Sequence, residues 1–125
     1  DFFTPNETEA GFYLKKDLNS TKDIESAGEE FLKMGIKNVI ITLGDKGSYF
    51  ANNDQKFFVD SFKLKSNVID TTGAGDAYNG ALCVALANNM NHKDSIEFAT
   101  KVAGISTTKI GAANSMPTLK EIENY

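Results

Sequence analysis

The chain has 125 residues, 41% hydrophobic and 24% charged, with a net charge of −4, which suits one ordinary globular domain and disfavours non-specific binding to nucleic acid or a membrane surface. Cys83 is the single cysteine, so an internal disulfide and a thiol metal cluster are excluded, and no stretch is apolar over the length a bilayer span needs. Asp1-Phe2-Phe3-Thr4 does not read as a signal peptide; the triplets Asn6-Glu7-Thr8 and Asn19-Ser20-Thr21 are therefore read as chance glycosylation matches, and the expected location is cytoplasmic.

In chain order, Phe2 and Phe3 read as the end of a β-strand, and a start of this kind, without methionine, suggests a piece of something longer. Thr4-Pro5-Asn6 is a turn signal, followed by a short helix over Glu7 to Lys16. Thr21 to Met34 reads as a second helix, with Ile24, Ala27, Phe31 and Met34 at helical spacing and Gly35 as its stop. Val39 to Leu43 (VIITL) is a continuous apolar run, the pattern of a strand buried on both faces, as in parallel sheets covered by helices. The tight turn Gly44-Asp45-Lys46-Gly47 then leads into strand Ser48 to Ala51, which predicts a hairpin. Asn52-Asn53-Asp54 is a second turn before a strand-like stretch from Lys56 to Lys65.

A helix is expected from Ala74 to Asn89, with Ala77, Ala81, Val84 and Ala85 on one face and Leu82 and Leu86 on another, so that it is well buried and Cys83 is a small core residue. Asn91 caps the next helix, in which Phe98, Val102 and Ile105 fall one or two turns apart and which should end near Gly111. Pro117-Thr118 with Glu121 gives a capping-box pattern for a short final helix. Helices alternating with buried strands indicate an α/β layered domain. His92 has no second histidine to work with and reads as an exposed surface residue.

Four stretches could carry chemistry. Asp70 to Asp76 (DTTGAGD) follows a β-like stretch and opens the apolar helix. Its glycines free backbone N–H groups to point at one spot, and the helix dipole favours an anion such as phosphate there. Asp76 adds a carboxylate in the first turn, which a pure phosphate cradle would not gain from but which a base for an attacking hydroxyl requires. The alternative is a plain strand-to-helix turn with an acidic helix start.

Asn6-Glu7-Thr8-Glu9 fits a capping box; as chemistry, Asn6 could bind a phosphate and Glu9 a hydrated magnesium ion, which takes few carboxylates. Thr42-Leu43-Gly44-Asp45-Lys46-Gly47 fits a glycine-bearing hairpin turn. Its glycines would equally let a nucleotide approach the backbone, with Thr42 and Lys46 as phosphate contacts; it is not a Walker A loop. Gly111-Ala112-Ala113-Asn114-Ser115-Met116-Pro117 reads as a helix-ending glycine with a capping loop, or as carbonyls and a hydroxyl around a large monovalent cation with Asp70 supplying charge.

In this order PNETE (Pro5–Glu9), TLGDKG (Thr42–Gly47), DTTGAGD with AYNGAL (Asp70–Leu82) and GAANSMP (Gly111–Pro117) resemble the ribokinase family of carbohydrate kinases, along essentially the whole chain. The resemblance implies an α/β fold, the C-terminal part of a three-layer α/β/α ribokinase-like (Rossmann-like) domain, with residues 1–125 forming its nucleotide-binding part. The N-terminal segments that hold the sugar and form a β-sheet lid in that family have no counterpart here. The activity implied is ATP-dependent phosphorylation of a sugar primary hydroxyl, foremost D-ribose to D-ribose 5-phosphate. Fructose or a nucleoside is the alternative acceptor, and a non-catalytic nucleotide-binding or interaction fragment is the reading from another class.

The residue roles implied are as follows. Asp76 is the base at the substrate hydroxyl, and the amides of Gly73, Ala74, Gly75 and Asp76 form the anion hole. Asn6 and Thr42, Leu43, Gly44, Asp45, Lys46 and Gly47 bind ATP, and Glu9 organises Mg2+. Thr100 stands at a nucleotide-contacting position where threonine is not the usual side chain. Asp70, Thr72, Ser106, Lys109, Gly111 and Ser115 match the ligands of an activating K+. A homodimeric full-length parent is implied, with no nucleic-acid or membrane partner, and the missing strands would leave an open sheet edge at Asp1 to Thr4.

Overall fold

The computed structural model describes residues 2–61 and 73–108. The chain divides into two compact units, 1–60 and 61–125. In the first, four strands lie in the order β1 (Phe2–Phe3), β2 (Asn38–Thr42), β3 (Ser48–Ala51) and β4 (Lys56–Val59). The sheet is mixed: β1 runs parallel to β2, while β2 with β3 and β3 with β4 are antiparallel. The predicted hairpin is thus present, closed by a 3-10 turn at Gly44–Lys46. Two helices, α1 (Glu7–Leu14) and α2 (Thr21–Lys33), join β1 to β2.

The apolar run in β2 behaves as its pattern demands. Val39, Ile40 and Ile41 have no exposed surface. Val39 and Ile41 pack with Ala27 and Phe31 of α2, Ala10 of α1 and Tyr49 and Ala51 of β3. Ile40 and Phe50 are buried on the opposite face, where Phe50 meets Phe57 of β4 at a ring distance of 5.0 Å. Removing Phe31 alone would cost on the order of 3–5 kcal/mol.

Several predicted boundaries move, and each has a local cause. Three helices end in the same pair of backbone bonds around one residue with positive φ. In α1 the N–H of Lys16 reaches Gly11 and that of Lys15 reaches Phe12; in α2 Ile36 reaches Phe31 and Gly35 reaches Leu32. The third, α3 (Ala74–Ala87), ends with Met90 reaching Ala85 and Asn89 reaching Leu86. The left-handed positions are Lys15, Gly35 and Asn89. Gly35 was legible as a stop. Lys15 takes the left-handed conformation and ends α1 at Leu14 and not at Lys16, although lysine is not a residue that signals a stop. Met34 lies past the end of α2 and is 65% exposed, so it is not a core position.

Strand β4 stops at Val59, with Asp60 and Ser61 outside it; residues 62–65 lie outside the described residues.

In the second unit, α3 packs against α4 (His92–Ser106). α3 buries Ala77, Tyr78, Ala81, Leu82 and Ala85 but not its whole circumference: Cys83 is exposed and Val84 is 55% exposed. Cys83 is therefore not a core residue. Its position, one step round the helix from Leu82, falls on the side away from the buried residues. Asn91 caps α4 as predicted, its Oδ1 accepting the Asp94 N–H at 2.7 Å. His92 is half-buried there, not fully exposed.

α4 ends at Ser106, short of Gly111. The hydroxyls of Ser106, Thr107 and Thr108 donate back to the carbonyls of Ala103, Gly104 and Ile105 at 2.7, 2.6 and 2.7 Å. Three consecutive hydroxyls compete with the backbone for these acceptors and close the helix early. The expected final helix and the Gly111–Pro117 loop lie outside the described residues. Among the described residues no helix is long and apolar enough to cross a membrane.

Candidate functional site

The first unit brings two of the four stretches together through its sheet register. The β1–β2 pairing of Phe2 with Asn38 and Phe3 with Val39 lapses at Thr4-Pro5 and returns, in the same register, as an isolated bridge between Asn6 and Thr42. Pro5 cannot donate to the ladder, but its carbonyl accepts the Thr42 N–H at 2.9 Å. Asn6 and Thr42 thus sit side by side at the C-terminal ends of two parallel strands, the end of an α/β sheet where ligands bind. Pro5 was missed as a positioning residue. The sequence marks it as a turn, but nothing in the spacing says which N–H its carbonyl meets.

From Asn6 the chain turns directly into α1. The Asn6 Oδ1 accepts the Glu9 N–H at 2.7 Å, and the Glu9 Oε1 accepts the Asn6 N–H at 3.0 Å. The capping-box reading of these residues is therefore realised, and both side chains are exposed. From Thr42 the chain enters the glycine turn. The Leu43 N–H donates to the Gly47 carbonyl at 2.8 Å, and Gly44 and Gly47 take φ of 62° and 99°. Leu43 and Gly47 are buried, whereas Gly44, Asp45 and Lys46 are exposed. A Cβ on Gly44 would meet nothing within 4 Å, so its glycine answers to backbone conformation and leaves open space above the turn.

The second unit contains a third stretch in part, Gly73 to Asp76, while the fourth, Gly111–Pro117, lies outside the described residues. Gly73 is the N-cap of α3 with φ 81° and ψ 1°, and no side-chain bond caps the helix. The other three helices are each closed by an Asn or Ser side chain. The Gly73 carbonyl takes the Ala77 N–H at 2.9 Å, which leaves the amides of Ala74, Gly75 and Asp76 as the first-turn donors that have no intrahelical acceptor. Asp76 is exposed in that same turn. Gly75 is also informative: a Cβ there would meet nothing within 4 Å. Glycine in a helix costs about 1 kcal/mol relative to alanine, and no described neighbour demands it.

On α4, Thr100 is half-buried and its Oγ1 donates to the Ile96 carbonyl at 2.7 Å, so its hydroxyl proton is spent inside its own helix. Ser106 is buried and closes the same helix. Asp70, Thr72, Lys109, Gly111 and Ser115 lie outside the described residues. Among the described residues no cluster of three or more His, Cys, Asp or Glu could hold a metal ion. Among the described residues Glu9 thus has no carboxylate, histidine or cysteine companions that would build a cage with it, an arrangement magnesium seldom uses.

Residues 1–119 match the pfkB family of carbohydrate kinases, and the chain belongs to that family. A ribokinase of Staphylococcus aureus (strain COL) is 37% identical over 98% of this chain and 40% of its own length. The crystal structure of a ribokinase from Thermotoga maritima superposes with a TM-score of 0.87 at 41% identity, covering 99% of this chain and 41% of that one. The Arabidopsis thaliana ribokinase solved with ribose and ATP gives 0.93 at 30% identity, over 99% of this chain and 40% of its own. The fold is ribokinase-like, and the chain spans about 40% of the length of these relatives, a partial domain.

Proposed function

We propose that residues 1–125 are the C-terminal, nucleotide-binding part of an ATP-dependent sugar kinase that phosphorylates the primary hydroxyl of D-ribose. The observation that carries the proposal is the uncapped glycine turn opening α3 with Asp76 in its first turn. The Asp76 carboxylate takes the proton from the hydroxyl as its oxygen attacks the γ-phosphorus. The bond to the β-phosphate oxygen breaks, and ADP leaves. Backbone amides of Gly73 to Asp76 stabilise charge on the transferred group, a contribution of roughly a hundredfold or more in rate for each such donor.

Asn6 and the Thr42–Gly47 turn bind the nucleotide. Exposed glycine-rich backbone and one lysine suit phosphate oxygens better than they suit a sugar. Glu9 keeps its second carboxylate oxygen beyond the cap, which fits the outer shell of a hydrated magnesium ion; when bound with the nucleotide, that ion offsets phosphate charge. Thr100 would contribute its methyl group and acceptor lone pairs to the nucleotide. Of the potassium ligands, Ser106 offers a carbonyl from the last turn of α4, where acceptors lack helical partners. Asp70, Thr72, Lys109, Gly111 and Ser115 would complete that set.

The test is Asp76→Asn in the full-length protein that carries this chain. Turnover of ribose should fall by about 10²- to 10⁴-fold while ATP affinity holds, since shape survives and basicity does not. Near-normal turnover would remove Asp76 from the chemistry. Ready turnover of fructose or a nucleoside with none of ribose would keep the class and change the acceptor.

A further inference from the structure

Asp76 heads a stripe that runs down α3. Positions four, seven and eleven residues further on fall on the same face of a helix. Here they are Gly80, Cys83 and Ala87, with Val84 beside them. All four are exposed, Val84 to 55%. The buried residues of the helix, Ala77, Tyr78, Ala81, Leu82 and Ala85, lie round its other side.

This face differs from the exposed faces of the longer helices. α2 shows Lys22, Glu25 and Lys33 at exposed positions, and α4 shows Lys93 and Glu97. From Ala77 to Asn91, by contrast, the chain has no Asp, Glu, Lys or Arg. A helix without charge on any side is one that other structure covers all round. Gly80 points the same way. Glycine is a poor helix former, and a Cβ at Gly80 would meet nothing within 4 Å, so no described neighbour demands it. A close approach from beyond the described residues does.

We propose that this face of α3 seats the acceptor-holding part of the same polypeptide, which lies outside these 125 residues and packs on Gly80, Cys83 and Val84 below Asp76. Two observations select that occupant over a second copy of the chain. The chain spans about 40% of the length of its ribokinase relatives, which leaves ample polypeptide to cover the face. A base at the head of the stripe also needs its hydroxyl within hydrogen-bond reach, so whatever holds the acceptor comes to this side of the helix. The choice of occupant rests on the reading of Asp76 as the base; the covering of the face does not.

The experiment places a photoactivatable diazirine analogue of leucine at position 84 of the full-length protein and maps the cross-linked peptides by mass spectrometry. Links within one molecule to residues outside the 125 are expected. A product of doubled mass on a denaturing gel would put a second copy on the face and overturn the proposal, as would links confined to the 125 residues or none at all. Kinetics give a second reading. Gly80→Val, which fills the approach, should lower kcat/KM for ribose by roughly tenfold to a hundredfold through a displaced acceptor and leave ATP affinity unchanged, with Gly80→Ala in between. A Gly80→Val protein with unaltered ribose kinetics would overturn the proposal too. Should that variant fail to fold, the cross-link, made with Gly80 intact, decides. Full-length protein that forms the expected links but phosphorylates no sugar would refute the proposed activity and leave the covered face standing.

Discussion

Lys15 shows how much one residue can hide from a sequence reading. The three matching helix ends need a residue with positive φ, and the chain supplies Lys15, Gly35 and Asn89. Glycine meets that need without strain and asparagine tolerates it, whereas a lysine side chain there costs on the order of 1–2 kcal/mol. Gly11, four residues earlier, is less replaceable: a Cβ there would lie 2.7 Å from the Lys16 carbonyl oxygen. Lys15→Gly should therefore stabilise the protein. Part of the gain is returned through the greater freedom of glycine in the unfolded chain, so a net of about 0.5–1 kcal/mol is expected. Urea denaturation checks it through a higher midpoint at unchanged slope. A lower midpoint would mean that the side chain of Lys15 contributes more than its backbone loses.

At the scale of elements, α2 and β3 meet where Gly28 faces Tyr49. A Cβ on Gly28 would come within 2.8 Å of Tyr49 Cε2, so glycine lets the ring lie against the helix. Burial first, and then the carboxylates of Glu25 and Glu29, push the Tyr49 hydroxyl above its ordinary value of 10.0. Glu29 is itself paired with Lys56 of β4, an exposed contact worth little alone. A tyrosine that resists ionisation in the folded state leaves stability intact below about pH 10, where both states are protonated. Above it the unfolded state releases its proton first, so stability falls as pH rises. Tyr49→Phe should flatten that alkaline loss: the drop in Tm between pH 8 and pH 11 should be smaller than in the unaltered protein. An equal or larger drop would show that Tyr49 does not carry it.

The same pair marks the edge of what could be read ahead. The apolar run Val39–Leu43 announced a doubly buried strand, and the caps at Asn6 and Asn91 announced two helix starts, because burial and capping are local patterns. Tyr49, Gly28 and the Asn6–Thr42 bridge depend on which elements lie opposite one another, which no local pattern encodes. Cys83 and Val84 were misread for a related reason: an apolar helix does not say which part of its surface will be covered.

For the whole molecule, size sets the expectation. The chain belongs to the pfkB carbohydrate kinases yet spans about 40% of the length of its ribokinase relatives. The nucleotide site proposed above would need only backbone amides, short turns and single side chains, which stretches of a few residues can supply. Gripping a sugar asks for more, namely several polar groups that fix the acceptor oxygen in line with the transferred phosphorus. Orientation of that kind accounts for as much as about 7–11 kcal/mol of a barrier. The 125-residue chain incubated with ATP, magnesium, potassium and ribose should therefore form no ribose 5-phosphate above the level of its own Asp76→Asn variant, even if it binds ATP. Nothing in a free acceptor's random encounters would replace the lost orientation. The full-length protein should turn ribose over under the same conditions and prefer it to fructose or a nucleoside. Product formed by the 125 residues alone, and abolished by Asp76→Asn, would show that this stretch holds the acceptor as well as the phosphate.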